Sequence, residues 1–307
     1  MDVLNDVTVD DQLIAKTQRR FDHFIPNYMV KLLDKSDAIV SIGCGLAHDV
    51  QMLRSMGYDV HGLDPGARAQ SWSRHPPGLR DRLSIARAED LPFGSERFDF
   101  AYALEVIEHV GCEEGIWKLL PDAREIRVKF IESCLDMLRP GGRLFLSTSN
   151  RACPLDVGHT HHYTSITDFC GRRLHLPLTV PWHRKNFVWS FGDVSRLLSA
   201  SRYHGQCSVE AISTVGYPAQ ARRMKRDRWR EQLAGHFLKV VNVPLLRTSF
   251  LNPILAVLIR KPAPGELSRA VPLRFEPSRT IPAPVRAAAP GSGTRGPVRE
   301  SARASGN

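Results

Sequence analysis

The sequence lacks paired cysteines, a leader-like start and an uninterrupted apolar run. Its six cysteines form no Cys-x-x-Cys pair, which argues against a disulfide framework and against a zinc site built from such pairs. No positively charged region followed by an apolar stretch occurs near residue 1, so we expect a reduced, cytoplasmic chain. The most apolar segment, residues 240–259, is broken by two prolines, two asparagines and an arginine. This composition argues against a membrane-spanning helix.

Residues 263–307 are poor in aromatic and large apolar side chains. Phe275 is their only aromatic residue, and Ala, Pro, Gly, Ser and Arg dominate, so the segment cannot bury enough apolar surface to order itself. Its seven arginines exceed its three glutamates by four, within a formal net charge of +10 for the chain. We predict a disordered basic Pro/Ala/Arg tail, which either keeps the chain in solution or attracts it loosely to anionic surfaces.

Residues 38–64 have the pattern of a βαβ unit with a nucleoside site. An apolar run at residues 38–42 predicts a buried parallel strand, and Gly43 and Gly45 follow it. Glycine lacks the Cβ that would block a ligand from lying against this turn. The next segment predicts a helix that ends at a glycine C-cap, with apolar residues at Val50, Leu53 and Met56. Asp64 ends a second apolar run, where a carboxylate can accept hydrogen bonds from ribose hydroxyls.

Further motifs follow in a fixed order. They are the loop Leu91-Pro92-Phe93, a strand at 98–103, the segment Glu105-Val106-Ile107-Glu108-His109-Val110, a turn at 138–143 and a strand at 144–147. Together with the Gly-Cys-Gly turn they resemble class I S-adenosylmethionine-dependent methyltransferases. The resemblance is to the methyltransferase type 11-like and ubiquinone-pathway O-methyltransferase-like groups in particular, and it spans most of residues 37–262.

The resemblance implies an α/β fold: a Rossmann-like, doubly wound, seven-stranded sheet, mostly parallel with one antiparallel strand, in three α/β/α layers. We expect an N-terminal helical cap at 1–36, the methyltransferase domain at 37–262 and the tail at 263–307. Insertions at 150–189 and 220–252 would cover the substrate. A helix with Ser190 as its N-cap would lead to a strand at 208–215. Residues 254–259 would form the last strand, antiparallel beside the fifth.

The resemblance also assigns a site for S-adenosylmethionine. Its residues are Ser41, Gly43, Cys44, Gly45, Asp64, Ala88, Glu89, Leu104 and Glu105. The methionine portion would contact the Gly-Cys-Gly turn, Asp64 would bind the ribose, and residues 88–89 and 104–105 would enclose the adenine. Ser41 stands where an acidic residue commonly ends the first strand in this family, and Arg87 where Asp or Asn usually precedes the Ala-Glu pair. Ser41 can still hydrogen-bond a water or an amino group, whereas Arg87 is expected to point outward.

The candidates for catalysis are Glu105, His109 and His162. A sulfonium methyl group is already activated, so the protein mainly aligns the acceptor and, for a hydroxyl, helps to remove a proton. Glu105, Glu108 and His109 would share one face of a helical turn and could bind a divalent cation. This Glu-x-x-Glu-His pattern resembles ubiquinone-pathway O-methyltransferases and small-RNA 3′-terminal 2′-O-methyltransferases, in which a metal would orient two hydroxyls. The same pattern also occurs in relatives for which no metal is implied.

A basic amphipathic segment lies in the second insertion. Residues 222–230 carry six Lys or Arg side chains around one Asp, and apolar residues continue at helical spacing to residue 241. Such a helix either lies on an anionic membrane surface, which would place the protein peripherally at the inner membrane face, or packs on the domain with its charges in water.

Three functions fit the sequence. The first is O-methylation of a small molecule, glycan or lipid-linked intermediate. The second is metal-dependent RNA 2′-O-methylation, which the basic charge favours and the absence of an identifiable RNA-binding module disfavours. The third is a non-catalytic methyltransferase-fold binding protein, which the departures at Ser41 and Arg87 permit. One scaffold hosts many acceptors, so the fold does not separate the three.

Overall fold

One seven-stranded sheet organises the chain. The computed structural model describes residues 11–66, 68–87, 92–113, 119–150, 153, 189–215, 217, 236, 239–244, 246–249 and 251–266. The strands are β1 (Ala38–Ile42), β2 (Asp59–Asp64), β3 (Leu83–Ile85), β4 (Phe98–Leu104), β5 (Leu138–Ser149), β6 (Ser208–Ala211) and β7 (Ile254–Arg260). They lie in the order β3-β2-β1-β4-β5-β7-β6. Strands β1 to β5 pair in parallel, and β7 is antiparallel to both β5 and β6, which confirms the predicted topology.

Helices cover both faces of this sheet. They are α1 (Asp11–Asn27), α2 (His48–Ser55), α3 (Pro77–Arg80), α4 (Ala123–Asp136) and α5 (Phe191–Ala200), with 3-10 turns at Met29–Lys31 and Ala69–Arg74. Phe24 and Ile25 of α1 and Val50 of α2 belong to the core on one face. Phe130 of α4 and Val194 of α5 belong to the core on the other. These are the three layers expected when parallel strands are buried on both sides.

Helix α5 begins as the sequence predicts. The Ser190 side chain accepts a hydrogen bond from the Asp193 amide, and the Asp193 carboxylate accepts one from the Ser190 amide. This capping box satisfies two amide groups that have no partner within the helix. Leu197 and Leu198 then lie on the buried face, so α5 packs where the chain turns toward β6.

The structure corrects the predicted start of β5. We expected a strand from Leu144, but β5 begins at Leu138. Phe98 pairs with Leu138 and Phe100 with Arg143, so β5 uses five residues where β4 uses two. The Pro-Gly-Gly segment forms this bulge inside the strand rather than a turn before it. A Cβ on Gly142 would lie 2.8 Å from the Arg139 carbonyl oxygen, so the bulge requires glycine there.

Two smaller predictions also need correction. Met56, predicted on the apolar face of α2, is 36% exposed because the helix ends at Ser55. Strand β6 ends at Ala211 rather than at residue 215. The limits predicted for the N-terminal cap, the methyltransferase domain and its insertions stay predictions. Most of 150–189, residues 222–235 and residues 267–307 lie outside the described residues. Within the described part of the chain, no helix is both long and apolar enough to cross a bilayer.

Candidate active site

The turn after β1 is closely packed against the segment that follows β4. Gly43 and Gly45 have φ angles of +71° and +54°, a region that L side chains rarely adopt. The amides of Gly43 and Cys44 donate to the Leu63 carbonyl at 2.8 and 3.0 Å. A Cβ on Gly43 would lie 2.6 Å from Cγ2 of Val106. Gly43 therefore lets the backbone run where a side chain would collide with Val106, and both glycines permit the positive φ angles of the turn.

Asp64 connects the end of β2 to this turn. Its Oδ2 accepts from the Gly45 amide at 2.9 Å, and its Oδ1 accepts from the Gly66 amide at 3.1 Å. The side chain lies at the carboxyl edge of the sheet and is 8% exposed. Each carboxylate oxygen can accept more than one hydrogen bond, so Asp64 keeps capacity for hydroxyl donors of a ligand. Asp64 therefore lies at the carboxyl end of the second strand, as the sequence predicts.

A cavity of about 190 Å³ opens beside Gly43. Leu63 and Pro65 line it at the end of β2, and Ile126 and Phe130 of α4 line the opposite wall. Arg87, which also lines it, is exposed as predicted. A largely apolar slot with a few polar groups at its rim suits a flat heteroaromatic ring.

Glu105 lies directly after β4 on a strained residue. Its φ angle is +56°, which is uncommon for a residue with a side chain. The Tyr217 hydroxyl donates to its Oε1 at 3.2 Å and also hydrogen-bonds the Ser147 hydroxyl of β5. Tyr217 is 6% exposed, and its ring contacts Phe24 and Tyr28 with centroids 5.1 and 5.4 Å away. The N-terminal segment and β5 therefore fix the tyrosine that holds Glu105.

Glu108 lies beneath Glu105 and is fully buried. Its two carboxylate oxygens and Thr148 Oγ1 have no hydrogen-bond partner in the described part of the chain. Burial raises the pKa of Glu108 well above its usual range, and the negative charge of Glu105 raises it further. A carboxyl group in this environment is held in its neutral form at neutral pH.

The residues Glu105, Glu108 and His109 do not share a helical face. Residues 107–110 form a turn rather than a helix, and His109 is exposed whereas Glu108 is buried. The described residues contain no group of three His, Cys, Asp or Glu side chains that could hold a metal ion. The expected shared face is therefore wrong, because the helical spacing applies only within a helix. The metal site itself stays a prediction.

Comparison with known proteins identifies the family. Residues 13–195 match the family of methyltransferase domains. This chain belongs to that methyltransferase family. The match covers more than half of the chain, and it agrees with the glycine turn and with the strand order.

Curated relatives of the methyltransferase are named ubiquinone biosynthesis O-methyltransferases. The one from Cereibacter sphaeroides is 29% identical over 146 residues, which are 47% of this chain and 51% of the relative. The mitochondrial one from Rattus norvegicus is 32% identical over 158 residues, which are 48% of this chain and 39% of the relative. The chain thus spans about half, or less, of these relatives. A solved S-adenosylmethionine-dependent methyltransferase from Mesorhizobium loti is 17% identical, covers 77% of this chain and 96% of its own, and has a TM-score of 0.44.

The structure brings together most of the predicted cofactor residues that it describes. The glycine turn, Asp64 and Glu105 lie along the carboxyl edge of β1, β2 and β4. Leu104, the last residue of β4, is half-buried against the core on the α1 face. Ala88, Glu89 and the catalytic candidate His162 lie outside the described residues. The glycines of the turn, the Asp64 carboxylate and the adjacent cavity fit the nucleoside and amino-acid ends of S-adenosylmethionine.

Three residues of the site escaped the sequence reasoning. Tyr217 follows β6 in a segment without periodicity, and Val106 was read only as part of a motif. Asp49, in the first turn of α2, is 2% exposed. Its Oδ2 accepts from the hydroxyls of Ser41 and Tyr102 at 2.6 and 2.8 Å. The sequence did contain one signal for Asp49. It lies eight positions after Ser41, which stands where an acidic residue commonly ends the first strand in this family.

Proposed function

We propose that the methyltransferase transfers a methyl group to an oxygen of a small molecule, glycan or lipid-linked intermediate. The observation that carries this proposal is the Glu105 carboxylate, held by Tyr217 at the carboxyl end of β4. Ligands of open α/β sheets bind beyond this edge. A fixed carboxylate at this edge can accept the proton that a hydroxyl group releases as it is methylated.

The surrounding residues explain why Glu105 is the better proton acceptor of the carboxyl pair. Burial raises the pKa of Glu108 well above its usual range, whereas Glu105 is half-buried and receives a hydrogen bond from Tyr217. This hydrogen bond fixes the orientation of the Glu105 carboxylate. Bound S-adenosylmethionine supplies the activated methyl group. The protein binds this cofactor at the glycine turn and Asp64, and it orients the acceptor hydroxyl toward Glu105.

The names of the curated relatives support an oxygen acceptor. Both relatives described above are named O-methyltransferases of ubiquinone biosynthesis. A prenylated aromatic acceptor would be lipid-linked in the sense proposed here. Peripheral contact of residues 222–241 with an anionic membrane would bring the site to such an acceptor, and it stays part of the proposal.

Transfer of a labelled methyl group from S-adenosylmethionine tests the proposal. Catechol and 3,4-dihydroxybenzoate are the hydroxyl probes, benzylamine is the amine probe, and a short single-stranded RNA tests the alternative acceptor. We expect O-methylated phenols, with turnover reduced at least tenfold in Glu105→Gln and unchanged in Glu125→Gln, an exposed glutamate of α4. Transfer to the amine or RNA but not to the phenols would contradict the proposal.

The same assay separates the metal hypothesis from the carboxylate hypothesis. Glu105 and Glu108 are neighbours, and a divalent cation bound there would orient two vicinal hydroxyls of an acceptor. Turnover is measured with EDTA and with added Mg²⁺, Mn²⁺ or Zn²⁺, in the wild type and in Glu108→Gln. Stimulation that the variant abolishes supports a metal site. Turnover that is the same in EDTA assigns the proton transfer to Glu105 alone.

A further inference from the structure

A buried carboxylate lies behind the glycine turn with one oxygen unpaired. Asp49 Oδ2 accepts two hydrogen bonds, from the hydroxyls of Ser41 and Tyr102. Asp49 Oδ1 is buried and has no hydrogen-bond partner in the described part of the chain. Buried acceptors are nearly always satisfied by a donor. The unpaired oxygen therefore indicates a donor that is bound rather than built in.

The contacts of Asp49 favour a cationic donor. Burial raises the pKa of Asp49, whereas the hydrogen bonds that the hydroxyls of Ser41 and Tyr102 donate to it lower that pKa and favour the ionised form. No lysine or arginine of the described residues forms an ion pair with Asp49. A buried carboxylate is costly unless a positive group pairs with it. A bound, positively charged group that carries N–H bonds would satisfy the unpaired oxygen and offset the cost of burying the charge.

The position of Asp49 relates it to the cofactor. Burial raises the pKa of the Cys44 thiol, and the charges of Asp49 and then Asp64 raise it further. The two carboxylates therefore lie close to the same residue of the turn. Asp64 reaches the turn through the Gly45 amide, while Asp49 reaches the strand before it through Ser41. A ligand lying along this turn would meet a carboxylate near each end.

We propose that Asp49 binds the ammonium group of the methionine portion of S-adenosylmethionine, with Ser41 and Tyr102 fixing the carboxylate in place. Asp49 thereby supplies the acid that Ser41 does not supply at the end of β1. In this chain the carboxylate lies in the first turn of α2 rather than at the end of β1. The Ser41 hydroxyl of β1 donates a hydrogen bond to it. This proposal concerns cofactor binding and is independent of the acceptor.

Two ligands that differ in the amino-acid portion test the proposal by calorimetry. S-adenosylhomocysteine carries the ammonium group, whereas 5′-methylthioadenosine keeps the adenosine and the thioether but lacks the amino acid. We expect Asp49→Asn to weaken binding of S-adenosylhomocysteine about tenfold or more and to leave 5′-methylthioadenosine within about twofold of wild type. Equal losses for both ligands, or no loss for either, would overturn the assignment. Asp59→Asn, at an exposed residue of β2, is the matched control and should change neither affinity.

A relocated carboxylate provides the rescue experiment. In the double variant Ser41→Asp with Asp49→Ser, the acid returns to the end of β1 and keeps a hydroxyl partner on α2. We expect it to regain preference for S-adenosylhomocysteine over 5′-methylthioadenosine relative to Asp49→Asn. If Asp49→Asn does not fold, Tyr102→Phe retains the carboxylate but loses one donor, and it should weaken only the first ligand. A variant that weakens both ligands equally assigns Asp49 a purely structural role and overturns the proposal.

The outcomes for the acceptor and for Asp49 are distinguishable. Selective loss of S-adenosylhomocysteine binding without transfer to any phenol supports the role of Asp49 and contradicts the proposed acceptor. Transfer to phenols, together with unchanged affinities of Asp49→Asn for both ligands, supports the proposed acceptor and contradicts the role of Asp49. If the wild type binds neither ligand, the assignment of Asp49 fails.

Discussion

Replacement of Gly43 with alanine should destabilise the methyltransferase by about 2–5 kcal/mol. The φ angle of +71° places an L residue in the left-handed region, at a cost of about 1–2 kcal/mol. The new Cβ would lie 2.6 Å from Val106 Cγ2 and 3.3 Å from Cγ1. Relieving a contact of this kind in a packed region costs about 1–3 kcal/mol more. The two costs arise from independent causes, so we add them.

The Gly57→Ala variant measures the backbone contribution without the steric one. Gly57 follows α2 with a φ angle of +84°, and a Cβ placed on it meets nothing within 4 Å. Gly57→Ala should therefore cost only the backbone contribution, about 1–2 kcal/mol. The difference between the two alanine variants measures the contact with Val106.

Equilibrium unfolding in urea measures both variants, together with Val106→Ala placed in the Gly43→Ala background. Val106→Ala removes both methyl groups that the new Cβ would meet, so the double variant should regain about 1–3 kcal/mol relative to additivity. The reasoning is refuted if Gly43→Ala is no less stable than Gly57→Ala, or if the second substitution gives no recovery. Loss of cofactor binding in Gly43→Ala alone, with recovery in the double variant, would connect the contact to the site.

Three further variants test separate parts of the structure. Tyr217→Phe keeps the packed ring but removes the hydrogen bond to Glu105, so turnover should fall about tenfold while the affinity for S-adenosylhomocysteine is unchanged. Ser190→Ala removes half of the capping box with Asp193 and should lower the free energy of unfolding by about 0.5–2 kcal/mol in urea. Burial and three neighbouring arginines lower the pKa of His61 to about 4 from 6.5. Because the unfolded state then binds a proton that the folded state does not, stability should fall as the pH drops from 6.5 towards 4, and less so in His61→Gln.

The tyrosine and serine variants each have a matched control. Tyr203→Phe removes a hydroxyl bonded to Asp136, away from the site, and should leave turnover unchanged. Ser55→Ala removes an exposed hydroxyl at the end of α2 and should have little effect on stability. An equal turnover loss in both tyrosine variants would contradict the role of Tyr217. Equal unfolding midpoints for wild type and Ser190→Ala would contradict the capping box, and parallel pH profiles for wild type and His61→Gln would contradict the shifted histidine.

The sequence was sufficient for the sheet because its signals are local. The apolar run at 38–42, the glycine turn and the serine at residue 190 each depend on nearby residues, and each appears where predicted. The boundary of β5 was mispredicted for a related reason. A Pro-Gly-Gly sequence is typical of turns, and only pairing with β4 shows that it forms a bulge.

The site was harder to predict because burial decides its chemistry. An acid in the first turn of a helix is ordinarily a favourable surface charge, and nothing adjacent to Asp49 indicates that Tyr102 of β4 covers it. Likewise, Glu105, Glu108 and His109 have the spacing of one helical face, but residues 107–110 form a turn in which Glu108 is buried and His109 is exposed. Contacts distant in sequence determine both outcomes.

The pairing of β7 with two strands that precede it in the sequence has a consequence for folding during synthesis. β7 lies between β5 and β6 and pairs with both, Arg143 with Arg260 and Ser208 with Arg260. Until residues 254–260 leave the ribosome, β5 exposes an unpaired edge and β6 has no neighbour in the sheet. Closing contacts this distant in sequence is slow, and exposed strand edges promote association with other chains. The nascent chain should therefore depend most on chaperones after β5 and least after β7, when one short strand completes the sheet.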